Sequence, residues 1–445
     1  MVNQEHFALL GQGVDAWNVW RKAHAERAID LRGVDLSAID LRGVDFSQVD
    51  LTNALFKNAN LTAANLTGAN LSGASLRQAD LVGTNLGWSN LTRADLRQAN
   101  LQHGILTGAN FTGAKLSGAN FPGANLRGAN LRGEDLSRVR LSQANLSQAN
   151  LSHANLSGED LRRANLSQAN LSQANLKGAY LSYTHLRDAD LSGAFLSQAF
   201  LMGADLRDAD LRGAFLKTAI LNQANLSRAN LSQANLSNAD LSQANLTEAE
   251  LIAIVGLGAS FVGATLTGAC IQDWQINSAT RLDDIRCDYV YLQKDRQQRC
   301  PPVQEFAPGE FTHRFQKVRS SLELVFSAGI EWEAFLIAFQ NLQIKYSEAE
   351  LSLQTFEMRT AHSGGLPSSG GTFVIQLYVS SDADKLQIQQ TFDRDYQLAL
   401  AECDHQYRDR FNASDEEIAT HRQRGTDLLE LAKLAARHSD WFPTS

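Results

Sequence analysis

The residue types able to do chemistry are thinly spread along this sequence. Its ten histidines are scattered, and no His-Glu-x-x-His pair offers to hold a zinc ion beside a general base. Four cysteines, Cys270, Cys287, Cys300 and Cys403, include no Cys-x-x-Cys pair and have no histidine at ligand spacing. Reduced structural thiols are the expectation, not a zinc site or a disulfide frame. Residues 363–371 read SGGLPSSGG, the composition of a phosphate loop without its Gly-Lys-Ser/Thr lysine. They join two strand-like runs, so a flexible hairpin loop is expected there, with His362 as a solvated residue at its border. The GLGAS stretch around Gly256 has no helix pattern after it and is not a dinucleotide site. Long rows of Asn and Asp invite a comparison with calcium-binding rolls, but the glycine-rich nonapeptide of those rolls is absent. No catalytic, cofactor-binding or metal-ligating residue is assigned, and no cofactor is expected.

The elements that position everything else come from one pattern. From about residue 29 to 276 the chain repeats a five-residue unit, Ala-Asn-Leu-Ser-Gln or Ala-Asp-Leu-Arg-Gly. Leu31, Leu36, Leu41, Phe46 and Leu51 begin a register that reaches Phe261, Leu266, Ile271 and Ile276, broken at Gly256. A spacing of five drifts around a helix of 3.6 residues per turn. On a flat strand the odd spacing alternates between faces. One environment for every leucine therefore demands a corner in each unit. The small residue two before the leucine shares its inward side by period-two alternation. The Asn or Asp between them points outward, and the two residues after it carry turn chemistry. The unit resembles the A-[DN]-L-x-x repeat of the pentapeptide repeat family, over more than half the chain. That resemblance implies a right-handed, four-sided β-helix with four units per coil. Roughly twelve coils at about 4.8 Å each would make a rod of roughly 60 Å.

Departures from the pattern carry the information about function. Glu134 and Glu159 take the inward small-residue slot, where a lone carboxylate is costly; a local structural adjustment is expected around each. Pro122 lies just past a centre and suits a turn. Residues 252–260 lose the register and are expected to form a distorted coil or a small loop. In the outward slot stand Tyr180, Phe195, Phe200, Phe215 and Ile220. If a coil holds twenty residues, Tyr180, Phe200 and Ile220 stack on one side and Phe195 and Phe215 on the next, with Tyr183 and Met202 nearby. An apolar patch on a soluble rod marks a contact surface. These five residues are the candidate partner-binding set, for another chain, for self-association or for the chain's own C-terminal domain.

The full organisation expected is mainly β. Residues 1–28 form a helical cap, with Val14, Trp17, Trp20 and Ala23 on one stripe. Residues 29–280 form the β-helix, and 281–310 a transition segment and linker marked by Pro301-Pro302 and Pro308-Gly309. Residues 311–445 form an α+β domain. Its expected order is a strand at 322–326, a helix at 331–346, strands at 351–359 and 372–379, a helix from 382 to 411 capped by Asp382, and a helix from Ser414 to about 437. That order suggests half of a ferredoxin-like sandwich.

The net charge of −8 falls mostly after residue 280. An acidic chain without a basic stripe does not fit direct nucleic-acid binding. No apolar run approaches a membrane span, and no secretory signal opens the chain, so the cytoplasm is the expected compartment. The function read here is a non-enzymatic protein–protein interaction scaffold. The alternative follows from the resemblance: some family members imitate duplex DNA and inhibit type II topoisomerases. That mimicry needs an acidic face, whereas Arg32, Arg42, Arg127, Arg132, Arg162, Arg163 and Arg207 stand on the outside of this rod. A third reading confines an enzyme to residues 311–445, without a recognisable site.

Overall fold

The computed structural model describes residues 4–24, 27–277, 279–316, 319–326, 330–346, 351–359, 372–380 and 384–411. They fall into two compact units, Met1–Gln316 and Lys317–Ser445.

The first unit is a four-sided β-helix, and one five-residue unit shows why. In Asp50-Leu51-Thr52-Asn53-Ala54 every amide has a partner. Leu51 donates to Asn70 O at 2.8 Å, Asn53 to Ser72 O at 2.9 Å, and Asp50 to Ile29 O at 3.1 Å, all in neighbouring coils. Ala54 closes the corner on Leu51 O at 3.0 Å. The amide of Thr52, facing outward at the corner, donates to Asp50 Oδ1 at 3.1 Å. The outward Asn/Asp slot therefore does more than point outward. Its side chain accepts the one amide that the ladder leaves over. Asparagine amides also link coils, as where Asn90 Nδ2 donates to Asn70 Oδ1 at 3.0 Å. Inside, leucines, phenylalanines and alanines fill a continuous core from Ile29 to Ile271.

Parallel bridges run twenty residues apart, in four columns that begin at Asp30, Asp35, Asp40 and Asp45. The Asp30 column steps without interruption to Tyr291, a rise of roughly 60 Å at about 4.8 Å per coil. Residues 252–260 do not form the expected distorted coil or loop. Val255 bridges Asn235, Ser260 bridges Asp240, and Gly256 donates to Gln275 O at 2.7 Å. The space of the missing centre side chain is approached by Ile276 and Ile254. The columns then gain one residue: Ser260 bridges Arg281, Thr265 bridges Arg286 and Cys270 bridges Tyr291. Residues 281–316 thus lie along the end of the coil. They add a hairpin, β1 (Val290–Gln293) with β2 (Gln297–Cys300), and a short helix α3 (Glu310–Phe315). Phe306 and Phe311 bury their rings there, and Phe311 meets Trp274 edge-on.

At the other end stand α1 (Gln4–Leu10) and α2 (Val14–Ala23). Trp17 is fully buried, packs edge-on against Phe46 at 5.5 Å, and donates from Nε1 to Asp45 O at 2.7 Å. Asn18 Nδ2 donates to Gly43 O, its Oδ1 accepts from the Asp45 amide, and Arg21 donates to Ser47 O.

The second unit has an antiparallel sheet in the order β3 (Arg319–Phe326), β5 (Thr372–Ser380), β4 (Ser352–Arg359). Helices α4 (Trp332–Lys345) and α5 (Lys385–Phe411) share its core through Phe335, Phe339, Phe392 and Tyr396. At the start of α5 the amide of Gln387 donates to Asp384 Oδ1 at 3.0 Å. Asp382, residues 362–371 and the helix expected from Ser414 lie outside the described residues.

Candidate functional site

Coil geometry brings the five outward apolar residues together as two adjoining ladders. Tyr180 bridges Phe200 and Phe200 bridges Ile220 in the Asp40 column; Phe195 bridges Phe215 in the Asp35 column. These columns occupy neighbouring sides, joined at the corner of Ser197 and Gln198. The rings are parallel: Tyr180 and Phe200 have centroids 5.1 Å apart at 5°, Phe195 and Phe215 5.0 Å apart at 4°. Stacking along the rod covers ring faces and leaves outer edges in water. Tyr180 is 46% exposed, Phe195 43%, Phe200 36% and Phe215 44%. Tyr183 extends the patch at the next corner, where its ring lies over Gly203. A Cβ on that glycine would sit 2.6 Å from the ring, and its φ of +64° is the left-handed conformation in which glycine is unstrained.

Each of these apolar residues gives up a backbone interaction. In a regular unit the outward side chain accepts from the amide two residues on, as Asp190 accepts from Ser192 at 3.0 Å. Among the described residues the amides of Ser182, Ser197, Met202, Lys217 and Asn222 have no such protein acceptor. Sequence reasoning missed this exchange. The preference for Asn and Asp two residues before every first corner residue was its signal.

Glu134 and Glu159 mark a second departure on the same two sides. The Asp35 column lacks the step from Lys115 to Asp135, and the Asp40 column lacks the step from Arg140 to Asp160. The Asp30 and Asp45 columns pass both levels unbroken. Glu134 and Glu159 lie where the ladder opens and are 7% and 6% exposed as whole residues. Glu134 Oε1 accepts from the Gly113 amide at 2.6 Å. Burial raises its pKa against that donation. Glu159 lies among the amides of Asp160, Leu141 and Val139; burial outweighs them and pushes it up to about 7, with the nearby Asp160 charge acting in the same direction. The adjustment expected at these residues is thus a local opening of the wall.

Part of the outer charge is paired along the chain. Arg32, Arg42, Arg97, Arg162, Arg207 and Arg212 each reach back to the aspartate two residues earlier, at 2.5–2.7 Å. Hydrogen bonds from Arg32 hold the Asp30 carboxyl down at about 2. In the second unit Glu331, Glu333 and Cys403 offer ligand atoms within 4.8 Å of one another. Glu331 already caps α4 by accepting from the Glu333 amide. Burial pushes the Cys403 thiol up to about 11, with the two glutamates adding repulsion.

A coil of four bridged sides, with inward Leu and Ala and outward Asn and Asp, defines a quadrilateral β-helix built from pentads. The chain belongs to the pentapeptide repeat family: the family description "Pentapeptide repeats" matches in eight copies, over residues 29–68, 59–98, 94–133, 135–158, 144–182, 160–198, 184–223 and 224–253. One copy, 135–158, spans the interval between the two glutamates. The family carries the right-handed β-helix.

Among solved structures the chain is similar to HetL, a pentapeptide repeat protein involved in heterocyst differentiation regulation from the cyanobacterium Nostoc sp. strain PCC 7120. Identity is 35% over 53% of this chain and 90% of that one, with a TM-score of 0.23. It is also similar to a trypsin-treated form of QnrB1, a plasmid-mediated fluoroquinolone resistance protein, at 19% identity over 47% and 89%, TM-score 0.22. A pentapeptide repeat protein of the Arabidopsis thaliana thylakoid lumen is 36% identical over 23% of this chain and 67% of that one, TM-score 0.17. Comparison with curated proteins gave no match. Among the described residues no helix is long and apolar enough to cross a membrane.

Proposed function

We propose that this chain is a non-enzymatic scaffold that binds a protein partner through the apolar ladders Tyr180–Phe200–Ile220 and Phe195–Phe215. The observation that carries this reading is the exchange at those positions. Each side chain forgoes an amide that Asn or Asp would satisfy, and ring edges stay in water after stacking. Rod stability alone does not require that exchange, because the Asn/Asp units stack without it. Tyr and Phe are the side chains that anchor protein interfaces, where they fill pockets at small entropic cost. Aspartates held by their own arginines weigh against a surface that imitates duplex DNA, which needs long unpaired acidic rows.

The test is the triple substitution Phe195→Ala, Phe200→Ala, Phe215→Ala in the full chain. Affinity capture and sedimentation, with circular dichroism to verify the coil, should show loss of a captured protein or of self-association. Unchanged capture and unchanged sedimentation would remove the contact reading.

A further inference from the structure

The glutamate positions call for an explanation that the contact surface does not supply. Within the four columns, the two missing steps coincide with the two inward glutamates. They bracket one stretch of coil. Residues 135–140 are released from the preceding coil on the Asp35 side, at Lys115, and from the following coil on the Asp40 side, at Asp160. The other two sides stay closed: Asn110 bridges Asn130 and Asn130 bridges Asn150, while Asn125 bridges Asn145.

A regular step pairs one amide and one carbonyl in each direction. One coil above the gap, Leu161 donates to Tyr180 O and Tyr180 donates to Glu159 O, both at 2.9 Å. At the gap the corresponding pairs, Leu141 to Asp160 O and Asp160 to Val139 O, are not made. They release two amides and two carbonyls, and the Glu159 carboxyl lies among those amides. A protonated carboxyl can accept from the released amides and donate its hydroxyl to one of the two released carbonyls. A carboxylate only accepts. It leaves the Val139 and Asp160 carbonyls without a donor and adds a charge in a dry wall.

We infer that Glu134 and Glu159 make residues 135–140 a proton-responsive joint in the rod, closed when the carboxyls are protonated and loosened when they ionise. This inference stands apart from the contact reading. The groups around the Glu159 gap are few. Arg138 and Arg140 belong to the coil below, Asp160, Arg162 and Arg163 to its own coil, and Tyr180 to the coil above. Glu134 stands on the adjoining side, with Lys115 and Asp135 across its gap. Asp160 is tied to Arg162 at 2.7 Å, and it is the charged neighbour that acts on Glu159. Burial raises both carboxyls, Glu159 to about 7, which places the Glu159 transition near neutrality.

Hydrogen exchange with mass spectrometry on the full chain tests the joint from pH 5.5 to 8.5. Peptides covering 133–143 and 156–164 are read against a peptide from the unbroken 80–95 stretch, which removes the intrinsic pH dependence. Relative protection of the joint should fall roughly tenfold or more, with a midpoint near 7. Glu134→Gln with Glu159→Gln places uncharged donors and acceptors at both positions, so the double variant should hold at pH 8.5 the protection that the natural chain shows at pH 5.5. A carboxyl-carbon NMR titration of Glu159 in the natural chain reads the same event without any substitution. A flat protection ratio, a Gln variant that follows the natural chain, or a Glu159 titration in the ordinary carboxylate range would each overturn the inference.

Discussion

Replacing Phe200 with asparagine separates a contact role from a stiffening role. The substitution removes a parallel stack with Tyr180 at 5.1 Å and 5°, worth about 0.5–1.5 kcal/mol. It also removes part of the apolar cover that Phe200 and Ile220 share, on the order of 1–2 kcal/mol at about 25 cal/mol per Å². In return the new amide oxygen takes the Met202 amide, as Asn225 takes that of Ser227 at 3.2 Å, for about 0.5–1.5 kcal/mol. The net expectation is a rod destabilised by about 1 kcal/mol. A partner that uses Phe200 as an anchor should lose about 2 kcal/mol or more, roughly thirtyfold in Kd. Urea unfolding gives the first quantity, titration of the captured partner the second, and amide exchange at Met202 reports the new bond. A loss of rod stability above about 3 kcal/mol with binding unchanged would show that the rings serve packing and refute the reasoning. Met202 exchange that stays as fast as before would refute the account of the outward slot.

Further expectations follow from the same geometry. Glu159→Ala restores the small inward residue. In the natural chain the folded pKa of Glu159, about 7, lies above the ordinary value of 4.5. Its contribution is therefore fully present below about pH 4.5 and is lost as pH rises through 7, by on the order of 3 kcal/mol. The variant should lack that fall, so the stability gap between the two, read by thermal unfolding, should widen from pH 5 to pH 8. Trp17→Ala empties a fully buried site and deletes the bond to Asp45 O. The first coils should lose about 3–5 kcal/mol, seen as faster exchange at 41–56 while the amides at 200–245 are unchanged. Arg212→Gln breaks an exposed pair with Asp210 and should change stability by less than about 1 kcal/mol, as measured by urea unfolding.

Much of the rod was legible because one side-chain type recurs at one spacing. Leu at every fifth position, with Ala two before it, leaves a coil with corners as the arrangement that buries both. The recurrence of aromatics at separations of twenty then stacks Tyr180 over Phe200 without further information. Residues 252–260 misled for a physical reason. Register is held by backbone bonds to the coils on either side, so a single Gly256 without a side chain does not break it. The opened steps at Glu134 and Glu159 were hidden for the opposite reason. Sequence shows a costly residue in the wall, but not which backbone pairs yield to admit it. In the second unit, alternation placed β3, β4 and β5, while their order is set by pairings between β3 and β5 across some fifty positions, which no local pattern encodes.

The backbone amides of a regular unit find their carbonyls in their own corner or in the coil before or after it, and the amide left over finds the side chain two residues back, as Thr52 finds Asp50. The chain therefore never waits for a distant segment in order to complete a coil. Closure entropy is the same small quantity at each addition, and growth becomes zipper-like once a first pair of coils has formed. On a ribosome, the portion already emerged would serve as the template for the next twenty residues. Growth has two natural places to hesitate, at Asp135 over Lys115 and one coil later at Asp160 over Arg140, where the template leaves a step unfilled beside an inward carboxyl.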